Sequence, residues 1–355
     1  MILNNQESMS IFSDNKRILI IKLASAGDVL RTTALLSGLK GKYPVSHITW
    51  VVEGTARELL EGNANIDRIL TYGEKSVSLL KAEKFDIVVS LDKAIEAISL
   101  AMIVKASEKY GYGLDREDRL CPFNKEAEYS YLLGIDDDLK FFKNKKTYQE
   151  LIFETAKLNY DNNPYELTIG KRHIDFADNF FKRKSLYKED AVIGVNTGAG
   201  RVFANKNLRK EKIVELIELL HEGLHAKIAL LGGPLERDIN TYIKKAAGEK
   251  TVDCGCDNSL KEFAALINNC ALVISADTLA MHIVIALKKP VIAIFGPTCP
   301  QEIDLYSRGC KIITEAKCAP CYKNKCDKKL TCMDEIPLEK IVRSAKEFVK
   351  ASRIA

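Results

Sequence analysis

The sequence predicts an α/β chain built of two doubly wound, Rossmann-like domains facing a central cleft. Three observations lead there. Short, continuous apolar runs recur along the chain, which suits strands buried on both faces of a parallel sheet. Amphipathic stretches of helical period separate them. The rhythm is interrupted near Tyr110 and resumes near Ala191, and 355 residues are enough for two cores of ordinary size.

The elements follow in order. RILIIKL is the first strand, then comes a helix from about Val29 to Tyr43, then the strands ITWVV, RILTY and FDIVVSLD. From about Tyr110 to Leu167 aromatic, lysine and acidic residues accumulate, with Asp136, Asp137 and Asp138 in a row and a turn at Asn162 to Pro164. This stretch reads as helices and a connector, and its polar setting argues against the acidic run as a metal pair. The rhythm returns with AVIGVNTGAG, KIALLGG, TVDCG, ALVISAD and PVIAIFGP, with helices starting near Lys210, Leu235, Ser259 and Thr278. Ile213, Leu216, Ile217, Leu220 and Leu224 make the stripe of a helix lying on a sheet. Pro337 to Ile354 is a last amphipathic helix with proline in its first turn. The expected division is a disordered segment 1–15, an N-terminal domain with its connector at 16–165, a C-terminal domain at 166–335 and the closing helix at 336–355.

Bulk properties narrow the classes. No apolar run reaches the roughly 20 residues of a membrane span, and the start lacks the apolar core of a signal peptide, so a cytoplasmic location is expected. Fifty-three Lys and Arg against 48 Asp and Glu leave a net charge of +5, too little for a dedicated nucleic-acid binder but compatible with anionic ligands or lipid head groups. Ten cysteines are many for a reducing compartment, and Cys310, Cys318, Cys321, Cys326 and Cys332 fall in one short stretch. Cys318, Cys321, Cys326 and Cys332 have a spacing compact enough for tetrahedral thiolate coordination of a structural zinc or iron. A lysine-rich loop of reduced thiols is the alternative.

In open parallel sheets ligands sit beyond the carboxyl ends of the strands, so the strand-to-helix turns hold the candidate chemistry. The first turn is Ala24, Ser25, Ala26, Gly27 and Asp28, small residues leading to a helix N-terminus, with Asp28 either a functional carboxylate or only the helix cap. It lacks the GxGxxG of a dinucleotide site. The second turn is Asn196, Thr197, Gly198, Ala199 and Gly200, then Arg201 to Asn205 and Lys206: amides for directional bonds and a lysine as point charge suit phosphate oxygens, and solvated cations on a plain loop are the alternative. Gly232, Gly233 and Pro234 lead to Glu236, as a plain turn or a nucleoside site. The third turn sets Asp277, Thr278 and His282 at the mouth of an otherwise apolar helix, with Thr278 and His282 four apart on one face. A lone histidine is commonly structural, but this one has two polar companions.

Together these turns resemble glycosyltransferase family 9, the lipopolysaccharide heptosyltransferases and their relatives, with the two-Rossmann-domain architecture called GT-B. The resemblance runs from Lys16 through IIKLASAGDVLRTTALL, GVNTGAG with its Lys206 and LLGGPLE, and is most specific at DTLAMH followed by ALKKPVIAIFGPTCP. It implies an inverting single displacement from a nucleotide-diphosphate sugar, ADP-heptose in the family's namesakes, to a lipid-anchored saccharide acceptor such as a lipopolysaccharide core. It places the enzyme at the cytoplasmic face of the inner membrane. Asp28 matches the family's general base. Thr197, with Gly198 beside it, and Lys206 match positions on the donor phosphates, Glu236 one near the nucleoside, and Asp277, Thr278 and His282 those along the pyrophosphate and sugar. Lys206 and helix amides would stabilise the leaving group without a metal or cofactor. The Asp277 carboxylate, which would repel phosphates, is expected to face amides or sugar hydroxyls. Many members have glycine where this chain has Leu279, which narrows the space around the donor. A sugar-nucleotide epimerase and a non-catalytic nucleotide-sugar binder remain alternatives, and a nicotinamide oxidoreductase is the weakest of the rivals.

Overall fold

A computed structural model describes residues 15–186, 191–200 and 205–352. The expected disordered segment as far as residue 14, residues 187–190, Arg201, Val202, Phe203 and Ala204 of the sequence motif after Gly200, and residues 353–355 lie outside the described residues.

The first sheet holds β1 (Arg17–Ile21), β2 (His47–Val52), β3 (Arg68–Thr71), β4 (Lys84–Ser90), β5 (Lys105–Leu114) and β6 (Leu120–Pro122), in the spatial order β3-β2-β1-β4-β5-β6. The second holds β7 (Val192–Asn196), β8 (Lys227–Leu231), β9 (Thr251–Asp253), β10 (Leu272–Ala276), β11 (Val291–Phe295) and β12 (Gly309–Ile313), in the order β12-β11-β10-β7-β8-β9. Read from the β9 edge, the second order repeats the first. All pairings are parallel except β5 with β6, which is antiparallel. Ile18, Leu19, Ile20 and Ile21 are fully buried, as a central strand covered on both faces requires.

Three readings need correction. The first helix is two, Ala26–Thr32 and Ala34–Lys42, joined at Thr33, whose hydroxyl bonds Leu30 O instead of leaving the backbone to one continuous helix. The stretch from Tyr110 is not all helix and connector: it contains the second half of β5 and all of β6. Alternating small and aromatic residues in KASEKYGYGL disguised the strand, and β6 is too short to show a pattern. β12, with Cys310 in its second position, was likewise unread. The predicted helix stripe is correct, with Ile213, Leu216, Ile217 and Leu220 buried in Lys210–Leu224. The closing helix is Leu338–Ser352, packed on it.

One apolar cluster runs through both halves: Val29 and Leu30 of the first share it with Ala280, Met281 and Ile283 of the second. Helix Ala26–Thr32 packs directly on helix Leu279–Ala286. The turns that open these two helices are thereby brought together at the seam.

Candidate active site

Each half places its polar turns where strand order reverses, between β1 and β4 in the first sheet and between β7 and β10 in the second, the topological switch point at which open α/β sheets bind ligands. After β1, Ser25 occupies the N-cap position in an extended conformation, and Asp28 is the third residue of the helix. The cap reading of Asp28 therefore fails. Its carboxylate instead accepts from Arg31 at 2.8 Å, with Ser25 Oγ at 3.4 Å and Lys22 Nζ at 4.0 Å. Lys22 is buried and pairs with Asp92, just beyond β4, so the ends of β1 and β4 are tied by charge. The Arg31 guanidinium lies over the Tyr148 ring, 3.7 Å from its centroid. Burial alone would raise the Asp28 carboxyl, but Arg31 and then Lys22 outweigh it and hold the group down at about 2. Against burial, Tyr148, Asp28 and Asp92 keep Lys22 up at about 12.

In the second half, Asn196 at the end of β7 donates to Gly198 O at 2.6 Å and Thr278 Oγ1 at 3.2 Å, joining two of the predicted turns. Thr278 is the N-cap residue of helix Leu279–Ala286 and also meets Ser275 Oγ at 3.0 Å. Thr197 points inward, its hydroxyl 2.5 Å from Asn240 Oδ1 and 3.1 Å from Leu231 O, so its side chain is committed to the core and only its backbone borders the site. Gly198 lets Glu236 approach closely: a Cβ there would stand 2.3 Å from Glu236 Cδ, and the glutamate side chain would have to move aside. Glu236 folds back to accept from Gly233 N at 2.9 Å. Thr197, Gly200, Asn205, Leu235, Glu236 and Ile239 are among the residues lining a cavity of about 570 Å³, within the roughly 300 to 1,000 Å³ usual for small-molecule sites.

Lys206 donates to Asp277 O at 3.2 Å and approaches Asp277 Oδ2 at 3.4 Å. The Asp277 carboxylate, expected to face amides or sugar hydroxyls, therefore faces the Lys206 cation. Both side chains are largely buried, and pairing offsets the desolvation that either would suffer alone. Asp277 Oδ1 lies 3.8 Å from His282 Nε2. His282 is 5% exposed, and burial followed by the Arg31 charge pushes its imidazole down to about 4, which keeps it neutral. Its Nδ1 and Arg31 Nε are buried without hydrogen-bond partners among the described residues, the kind of atom a ligand satisfies. A Cβ on Gly27 would stand 2.8 Å from His282 Cδ2, so the first and third turns touch.

The model of glycosyltransferase family 9 (heptosyltransferase) matches residues 75–331, well over half of the chain. The chain belongs to glycosyltransferase family 9. It is 25% identical over 314 residues to the lipopolysaccharide core heptosyltransferase OpsX of Haemophilus influenzae, covering 84% of each. Among solved structures, a family 9 glycosyl transferase from Veillonella parvula superposes with a TM-score of 0.77 at 20% identity, over 95% of this chain and 98% of that one. The ADP-heptose lipopolysaccharide heptosyltransferase II of Escherichia coli gives 0.71 at 18% identity, over 95% and 99%. The fold is GT-B, and this family 9 chain is a glycosyltransferase.

Elsewhere in this family 9 chain, Cys318, Cys321, Cys326 and Cys332 line one cavity of about 90 Å³ beside Pro297. Among the described residues no three His, Cys, Asp or Glu side chains are grouped so as to hold a metal ion. The thiols thus share a cavity without converging on a point. Lys328 Nζ takes Cys318 Sγ at 3.2 Å, which draws that thiol outward. Burial, then the three other cysteines, pushes the Cys332 thiol up to about 11.

The residues that sequence reasoning missed are those that hold others: Lys22, Arg31, Asp92, Asn196 and Asn240. Lys22 and Asp92 had a signal, a charge closing each of the apolar runs IIKL and VVSLD. Asn240 is one polar residue in an amphipathic helix and had none.

Proposed function

We propose that this glycosyltransferase moves heptose from ADP-heptose to a hydroxyl of a lipopolysaccharide-core-type acceptor, inverting the anomeric carbon in one displacement with Asp28 as general base. The observation that carries the reading is the contact of the Gly27–Asp28 turn with the Asp277–His282 turn, a carboxylate of one half beside the anion-compatible turns of the other. The names of its Haemophilus and Escherichia relatives supply the donor and acceptor. In this reading residues 16–165 present the acceptor and residues 166–335 hold the donor.

The nucleoside would occupy the cavity beside Glu236, with the pyrophosphate towards the Thr197–Gly200 backbone and Lys206. An incoming pyrophosphate competes with Asp277 for Lys206, and the lysine then faces the oxygen on which charge develops as the glycosidic bond breaks. Asp28 held at about 2 is a weak base in equilibrium terms, but it is ionised at every physiological pH. The attacking hydroxyl becomes strongly acidic as its bond to the anomeric carbon forms, so a weak, well-placed carboxylate suffices. Arg31 fixes that carboxylate. Neutral His282, with Nδ1 unpaired, can meet a sugar hydroxyl.

The test is transfer from ADP-heptose to a heptose-deficient core acceptor, read by mass spectrometry, against UDP- and GDP-sugars. Epimerised donor without any acceptor product would replace the reading with the epimerase one.

Two further assignments belong here. The four cysteines border one cavity without converging, so a structural zinc or iron there would have to draw the thiols together; in favour of it, the space exceeds the roughly 15 Å³ of a single water-sized sphere, and the cysteines' mutual raising of Cys332 is what a cation would relieve. About one equivalent of metal in protein purified without chelator is expected, and four freely reactive thiols in a folded, metal-free sample would refute it. No helix among the described residues is long and apolar enough to cross a membrane. A cytoplasmic protein touching the inner membrane peripherally is our reading, supported by the exposed Ile95, Ile135 and Phe142 of the acceptor half and tested by flotation with anionic vesicles.

A further inference from the structure

The cysteine loop reaches across to the acceptor half. Tyr322, directly after Cys321, stacks on Phe141 with ring centroids 5.6 Å apart and planes 5° from parallel. Lys140 Nζ lies 3.8 Å from the centroid of the same ring. From the donor half, Gln301 Nε2 donates to Lys140 O at 3.0 Å. The turn Leu139–Lys143 is therefore gripped through its backbone and through two side chains.

The grip leads to the reacting centre on both sides. In the donor half, Cys299 N donates to the Tyr322 hydroxyl at 3.2 Å, and the adjacent Thr298 hydrogen-bonds the Asp277 carboxylate. In the acceptor half, Lys93, the residue after Asp92, donates to Ser130 O at 2.9 Å and so ties the end of β4 to the segment that leads to Lys140. The ring's own seat comes from the loop: the amides of Cys321 and Tyr322 both donate to Pro297 O at 3.0 Å, and Pro297 lines the cysteine cavity.

We propose that Tyr322 is a positioning residue that sets the two halves in register across the cleft, and that the four-cysteine loop fixes its seat. Tyr322 need not touch either substrate. Its work is to hold Lys140 and Phe141 against the Cys299–Gln301 turn, so that Asp28 and the donor turn meet at a fixed separation. The proposal rests on the glycosyltransferase reading for its kinetic consequence alone.

Tyr322→Ala is compared with Tyr322→Phe, which keeps the stack and the cation's seat. In Tyr322→Ala, trypsin cleavage after Lys140 and Lys143 should accelerate by at least about tenfold, because cleavage follows the open population. Transfer kcat should fall by at least about tenfold while the Kd for ADP stays within about twofold, because a hinge contact alters turnover without dismantling the donor pocket. Tyr322→Phe should restore most of both. If Tyr322→Ala does not fold, Phe141→Leu loosens the grip from the other half with the same expected readouts, and Lys140→Gln does so with cleavage read after Lys143 alone. Wild-type cleavage and wild-type kcat in the loosened variants would overturn the proposal, as would ADP affinity falling in step with kcat, which would make the ring part of the donor pocket. Cys326→Ser should also expose Lys140 to trypsin, and unchanged cleavage there would overturn the role given to the loop. The proteolysis and ADP measurements need neither sugar nor acceptor, so they stand even if the chain transfers something other than heptose.

Discussion

At the end of β1, Asp28 lies between Arg31 and Lys22, and Lys22 is itself balanced by Asp92; at the end of β10, Asp277 pairs with Lys206 and lies beside a neutral histidine, with the Arg31 charge farther off. The two turns occupy equivalent places in sheets of equivalent strand order, yet they balance charge in opposite ways. The first balance is set chiefly by Arg31 and Lys22 of its own half, with His282 across the seam a smaller contribution, which suits a carboxylate that stays ionised and oriented. In the proposed reading the second would be redistributed, a pyrophosphate beside Lys206 taking the place of Asp277 as its partner. On that reading the same fold would carry a fixed charge on one side of the seam and an exchangeable one on the other.

The largest effect that could break this comparison is on turnover. Asp28→Asn keeps the shape and an acceptor oxygen for Arg31 but cannot take a proton, and transfer should fall by at least about a hundredfold at saturating donor. Because Arg31 loses its anion, a stability loss of about 1 to 3 kcal/mol should accompany it in chemical denaturation. Near-normal turnover would remove Asp28 from the mechanism. On the exchangeable side, Lys206→Ala should weaken ADP roughly ten- to a hundredfold by calorimetry, since a charge-assisted hydrogen bond is worth about 1.5 to 3 kcal/mol. Adding Asp277→Asn should recover part of the stability lost by Lys206→Ala, and strict additivity of the two would show that the pair is not coupled.

Much of this was legible in the residues. Strands such as RILIIKL and PVIAIFGP are buried on both faces, so continuous apolar runs of strand length and composition agreed. Asp28, Lys206, Asp277 and His282 were singled out because each follows a strand that could be read. Illegible were the long-range partners: nothing local ties Lys22 to Asp92 or Thr197 to Asn240, since their proximity arises from strand order. The inward turn of the Thr197 hydroxyl and the pairing of Lys206 with Asp277 were missed for the same reason.

A smaller effect tests the seam itself. Gly27→Ala would place a methyl 2.8 Å from His282 Cδ2, and the ring, packed in the core, has little room to retreat. Overpacking of this kind typically costs about 1 to 3 kcal/mol. The expected outcome is a lowered melting temperature with ADP binding retained; an unchanged melting temperature would mean that the two turns are not in firm contact.

The effect smallest at neutral pH concerns the charge state of His282. Asp277, Asp28, Arg31, Lys206 and the Tyr165 ring surround it, and burial with the Arg31 charge lowers its pKa from 6.5 to about 4. A group whose folded-state pKa is depressed takes up its proton more readily in the unfolded chain, so between pH 6.5 and about 4 the unfolded state binds more protons and stability falls as pH is lowered. The loss should approach 1.4 kcal/mol per pH unit within that window and vanish above it. Asp28 behaves differently: with its pKa at about 2, its contribution persists through the whole of that window and is lost only in stronger acid. His282→Gln, which keeps a polar side chain but cannot titrate, should therefore flatten the stability profile between pH 6.5 and 4 while leaving stability at pH 7.5 changed by less than about 1 kcal/mol. A profile equally steep in the variant would mean that the acid sensitivity arises elsewhere, and that the imidazole at the seam is not held neutral.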